Sequence, residues 1–144
     1  MGTDTMGRVT VAEKIENVGD LYMAEKGLLP ADQVHRIEVS NALVDTGATT
    51  LSMPKKLIDQ LALIPFRSRV ARTSAGLAAF QVYGGVRLTV QGRECQVDVV
   101  ELPDDSPVLI GQVPLELLDF VIDPAHHCLI GNPAHGGEQM LEMY

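Results

Sequence analysis

Asp45 is the residue best placed to do chemistry. It follows the apolar strand end Ala42-Leu43-Val44 and opens a polar loop, Asp45-Thr46-Gly47-Ala48-Thr49-Thr50. An apolar strand seeks burial, and burying a lone carboxylate is costly, so an acid at that point needs a reason. Catalysis supplies one, because a carboxylate in a half-buried loop is tuned as an acid or a base by its surroundings. Thr46 adds a hydroxyl able to lock the loop, and Gly47 offers bare backbone for the close approach of a ligand. The same three residue types also build ordinary β-turns. The loop takes its meaning from the elements around it.

Those elements are mostly strands. Residues 9–15 alternate apolar and polar, the period of a half-buried strand. Residues 20–26 form a short helix stopped by Gly27, and Pro30 opens a turn. A strand spans residues 34–44 and delivers Asp45. A helix follows over residues 54–61, with Pro54 in its first turn and Leu57, Ile58 and Leu61 in one stripe. Residues 66–73 and 79–90 are the arms of a hairpin whose tip is Ser74-Ala75-Gly76-Leu77. Gly84-Gly85 interrupts the second arm as a bulge. Gln91-Gly92 turns the chain into a strand at 94–102, and a Pro-bounded loop leads to Val108-Leu109-Ile110, a short apolar strand ended by Gly111. A short helix over 114–118 and strand pieces at Val121-Ile122 and Cys128-Leu129-Ile130 complete the pattern. Residues 131–144 are rich in Gly, Pro and Glu and are expected to be mobile. The domain is expected to run over residues 9–131, between a leader at 1–8 and a tail at 132–144.

The order strand, Asp-Thr-Gly-Ala, helix, hairpin, apolar-apolar-Gly, helix resembles the retropepsin family, the single-domain aspartic proteases of retroviruses and their bacterial and eukaryotic relatives. The resemblance covers roughly residues 34–130. It implies a mostly β, closed antiparallel β-barrel-like acid protease fold with short helices and one active-site loop per chain. By the same resemblance Asp45 is the catalytic aspartate. Thr46 braces the two active-site loops of a dimer, and Gly47 and Ala48 contact substrate backbone. Ser74, Ala75, Gly76 and Leu77 form the tip of a flap, Leu43 and Leu109 wall the pockets, and Gly111 packs beneath the loop. Two positions depart from the retroviral pattern. Thr49 and Thr50 stand where acids commonly help bind substrate, so contacts through Thr49 would be neutral. Gln112 and Val113 replace an Arg and the Asn or Asp after it, so the ion pairs of that Arg are absent.

Aspartic protease chemistry needs two carboxylates that share a proton. Asp-Thr-Gly occurs once in the 144 residues, so the resemblance implies a homodimer with Asp45 and its symmetry mate side by side. The expected activity is hydrolysis of internal bonds in a peptide or protein substrate by a water activated at that dyad. The alternative is a catalytically weak or inactive dimer of the same fold that binds peptides, a reading favoured by Thr49, Thr50 and the missing Arg.

Composition narrows the partners. Lys and Arg number 11 against 19 Asp and Glu, a net charge of −8, and aromatics are 4 % with no Trp. Neither nucleic acid nor an anionic membrane surface is expected to bind such a chain. No apolar run approaches the ~20 residues of a membrane span, and the N-terminal residues do not form a signal peptide. Cys95 and Cys128 are expected to be reduced cysteines in strands of a cytoplasmic protein. His126-His127-Cys128 and His135 lack paired metal-ligand spacing, so no metal and no other cofactor is expected.

Overall fold

The computed structural model describes residues 8–140; most of the expected leader, 1–7, and the end of the tail, 141–144, lie outside the described residues. Strand β1 (Val9–Asn17) turns Val9, Val11 and Ile15 inward. Asn17 then caps helix α1 (Val18–Glu25) by accepting from the Asp20 N–H, and its amide donates to Leu61 O at 2.9 Å. No residue of α1 is buried, so the helix lies on the outside of the body. The expected stop holds, with Gly27 at φ +76°. A short 3-10 turn (Ala31–Gln33) precedes β2 (Arg36–Val44).

The chain next forms a strand that its pattern conceals. β3 (Leu51–Pro54) is buried at all four residues. A strand covered on both faces has no alternation to betray it. Helix α2 (Lys55–Gln60) begins just after Pro54, which ends β3 and holds the N-cap position instead of the expected first turn, with no side-chain capping bond. The hairpin pairs β4 (Ile64–Thr73) with β5 (Gly76–Val90), and β5 returns through Gln91-Gly92 to β6 (Arg93–Leu102). Both turn residues have positive φ, +49° and +81°, as two-residue hairpin turns require. The ladder between β5 and β6 slips between Tyr83 and Val86, so the Gly84-Gly85 bulge is present.

Strand β7 (Leu109–Ile110) and helix α3 (Gln112–Leu118) follow, then a separate hairpin of β8 (Phe120–Asp123) and β9 (Cys128–Gly131). The main sheet runs β1-β2-β7-β3-β6-β5-β4, and β5 also pairs with β1. The pairings thus return from β5 to β1 and leave β4 on an edge. Most pairings are antiparallel, as expected, but β2–β7 and β3–β6 are parallel. Parallel neighbours need a crossover, and here the intervening helix and hairpin provide it. Leu51, Met53, Ile58, Leu88 and Ile110 are completely buried inside.

The described part of the tail is tied down, contrary to the expected mobility. Arg93 donates to Leu118 O, Asp119 O and Gly137 O. Asp119, at φ +60°, accepts from Asn132 Nδ2 at 3.1 Å and the Met140 N–H at 3.0 Å, and lies 2.6 Å from His135 Nδ1. The hydrogen bond to His135 is the main reason its carboxyl is held below its ordinary pKa.

Candidate active site

Two strand ends deliver the loop. Leu43 and Val44 pair in parallel with Leu109 and Ile110. The Leu43 N–H donates to Val108 O at 2.8 Å, and the Asp45 N–H to Ile110 O at 2.9 Å. The carboxylate is therefore fixed at its own backbone by the neighbouring strand. The loop then closes locally. Asp45 Oδ1 accepts the Gly47 N–H at 2.9 Å, and Asp45 O accepts the Ala48 N–H at 3.0 Å. Aspartate favours such a turn because its short side chain reaches the backbone two residues on. The side chain of Asp45 is partly buried, whereas Thr46 and Gly47 are exposed.

The far side of the loop rests on Gly111 and the start of α3. Gly111 donates to Thr50 O at 3.0 Å, Gln112 to Ala48 O and Val113 to Thr49 O, both at 2.9 Å. The first N–H groups of a helix lack partners within it, and here the loop carbonyls supply them. A Cβ at Gly111 would stand 2.6 Å from both Ala48 O and Thr50 O. Glycine is required for this close approach, since its φ of −88° is open to any residue.

Beside the loop lies an open groove of about 600 Å³. Gly47, Ala48, Thr49 and Leu109 line it, as does Thr50. Leu43 stays half-buried in β2 and is not part of the lining. Ser74, Ala75, Gly76 and Leu77 are exposed at the end of the β4–β5 hairpin, also away from the lining. The turn itself is Ser74-Ala75, because Thr73 already pairs with Gly76. Thr73 Oγ1 fastens it by donating to Gly76 O and accepting the Ala75 N–H.

The opposite wall comes from residues that motif reasoning passed over. Arg67, Arg69 and Ala71 of β4, Phe80 and Val82 of β5, and Asp98, Val100 and Leu102 of β6 face the groove. The signal was present as a period of two on each strand. The register aligns them, with Arg67 opposite Val82, Arg69 opposite Phe80, and Val82 opposite Val100. What the sequence lacked was knowledge of which face the loop would meet.

His126 and His127 sit in the turn between β8 and β9 rather than on a strand, and His126 Nδ1 lies 2.7 Å from Asp123 Oδ2. Among the described residues no three His, Cys, Asp or Glu side chains cluster as metal ligands would. Cys95 and Cys128 are free and partly buried. Desolvation, with Glu13 nearby, pushes the Cys95 thiol up to about 11. Among the described residues no helix is long and apolar enough to cross a membrane.

No family model matches the chain, and no curated protein matches it. Among solved structures it is similar to the solution structure of the simian foamy virus (mac) protease. The two are 21 % identical and superpose with a TM-score of 0.47 over 76 % of this chain and 93 % of that one.

Proposed function

We propose that two copies of this chain form an aspartic endopeptidase. The observation that carries the reading is the Asp-Thr-Gly loop itself. Its carboxylate follows the end of strand β2, bonded at Oδ1 to the Gly47 N–H, and the loop that carries it lines a groove of about 600 Å³ through Gly47 and Ala48. A chain with one such loop holds half a dyad, so the working unit is a two-fold pair with Asp45 of each copy at the centre. Like charges that close cannot both ionise, so the pair shares one proton.

In the proposed reaction the ionised Asp45 takes a proton from water while the water oxygen bonds to the peptide carbonyl carbon. The protonated Asp45 of the other copy hydrogen-bonds the carbonyl oxygen as charge develops there. The proton then passes to the leaving nitrogen, the C–N bond breaks, and one water has been added across it. Gly47 and Ala48 would receive substrate backbone, Leu109 would shape a side-chain pocket, and residues 74–77 would close as a flap and exclude water. Thr46 of each copy would brace the two loops. The chemistry requires no metal or organic cofactor.

The test combines sedimentation with a peptide-library digest of the wild type and Asp45→Asn. A dimer that cuts peptides, with cleavage lost in the variant, supports the reading. A dimer that binds peptides and cuts none between pH ~4 and 7 identifies a binding module instead, the outcome that neutral Thr49 and Thr50 would favour.

A further inference from the structure

The charge of the groove is opposite to that of the chain. The protein carries a net −8, yet the groove wall holds two arginines, Arg67 and Arg69, against one acid, Asp98. Asp98 Oδ1 lies 3.4 Å from where a Gly84 Cβ would stand, next to the Gly84-Gly85 bulge, and the wall keeps one positive charge in excess. Ion pairs elsewhere occupy Arg36 with Glu16 and Arg87 with Glu94. Among the described residues no carboxylate lies within 4 Å of the guanidinium of Arg67 or Arg69. Arg67 instead lies over the Phe66 ring, 4.7 Å from its centroid, a contact that positions the cation while leaving its N–H fork free.

The spacing of the two cations adds a second constraint. Arg67 and Arg69 are two apart on one strand and share a face, so their Cα atoms are about 6.6 Å apart. Alternate side chains of an extended peptide have the same spacing. On the other side of the groove Thr49 and Thr50 bring no negative charge to repel an acidic ligand. Guanidinium groups favour carboxylates because the planar fork donates two parallel hydrogen bonds.

We infer that the groove selects peptide segments bearing Asp or Glu next to the scissile bond, held by Arg67 and Arg69. This rests on the peptidase reading for the cutting but not for the binding. A flap closing over the peptide would shield the arginine–carboxylate pairs from water and strengthen them.

The experiment uses the full chain and matched peptides that differ only by Glu for Gln at the positions flanking the cut, found first by library digest. The wild type is expected to cleave the Glu peptide about five- to tenfold more efficiently in kcat/KM. That ratio should fall to about one in Arg67→Gln/Arg69→Gln and persist in Arg67→Lys/Arg69→Lys. Arg69→Glu should shift preference toward a Lys peptide. A wild-type ratio near one, or a ratio that survives the Gln double substitution, overturns the inference. Should the wild type cut nothing, the peptidase reading fails by itself. Fluorescence anisotropy with labelled Glu and Gln peptides then decides this one. Tighter binding of the Glu peptide, lost in Arg67→Gln/Arg69→Gln, supports it, and equal binding overturns it. Both arginines are exposed, so the variants are expected to fold, which thermal melting checks.

Discussion

The two walls of the groove are built on opposite plans. The wall built on the Asp45 loop is held from behind and beneath. Strand β7 accepts its backbone, Gly111 leaves no space beneath it, and the first N–H groups of α3 clamp its carbonyls. The wall that carries Arg67 and Arg69 is a hairpin on the sheet edge. Nearly all of β4 is exposed, and the tip adds only local bonds from Thr73. Few buried contacts and exposed backbone bonds are the marks of a segment that opens at low cost. A reaction that needs a carboxylate held in place and a cover that admits substrate would divide the molecule this way.

The largest effect should come from the rigid wall without disturbing its packing. Asp45→Asn keeps a side-chain oxygen for the Gly47 N–H but cannot take a proton from water. Cleavage is expected to fall by about 10²–10⁴-fold with an unchanged melting temperature, read by peptide hydrolysis alongside circular dichroism. Gly111→Ala should strike packing instead. Two carbonyl oxygens at 2.6 Å from the new Cβ belong to backbone, which cannot swing aside, so the loss is expected to be about 3 kcal/mol or more in urea unfolding. Gly76→Ala is the matched change on the hairpin wall. It meets no atom within 4 Å and suffers only from φ +114°, so it should cost about 1–2 kcal/mol. Equal losses at the two glycines would erase the contrast between the walls.

The body, rather than the hairpin, should also govern stability against pH. Glu13 on β1 is only 4 % exposed, and neither of its oxygens has a partner among the described residues. Desolvation by burial raises its pKa from 4.5 to about 8. The folded protein therefore holds a proton that the unfolded chain releases between those two values. Folding stability should fall as pH rises through that window and level off above about 8. Glu13→Gln should flatten that slope, as urea unfolding at several pH values across the window would show. Asp119 works in the opposite sense. Its lowered pKa contributes stability at neutral pH that is lost as pH falls through the carboxylate range, so acid should loosen the tail before it weakens the body.

Legibility in the sequence followed the same division. Asp45 stood out because it conflicts with its local context, an acid at the end of an apolar strand, whereas the place of Gly111 beneath the loop came only from the family resemblance. The hairpin and its Gly84-Gly85 bulge were readable from turn residues and alternation. β3 was not, because a four-residue strand buried on both sides has no period. The parallel pairings depend on how distant segments stack, which no local pattern encodes. The anchoring of residues 132–140 depends on Arg93 and on Asp119 in a left-handed conformation, so composition alone suggested a loose end. The arginines of the groove lay on a regular strand face, visible but unassigned until the loop was seen to face them.

The smallest expected effect is the sharpest test of what the exposed wall is for. Leu77 is 71 % exposed and sits opposite Arg72 one step from the turn. It touches no core, so Leu77→Ser should change the stability of an isolated chain by less than about 0.5 kcal/mol. An apolar side chain at a hairpin tip gains only when something covers it. Under the two-chain reading, a bound peptide or the second copy would do so when the flap closes. Leu77→Ser should then raise KM a few-fold while the melting temperature stays put. A loss of stability in the substrate-free chain would show instead that the tip is already packed, and that the second wall is as fixed as the first.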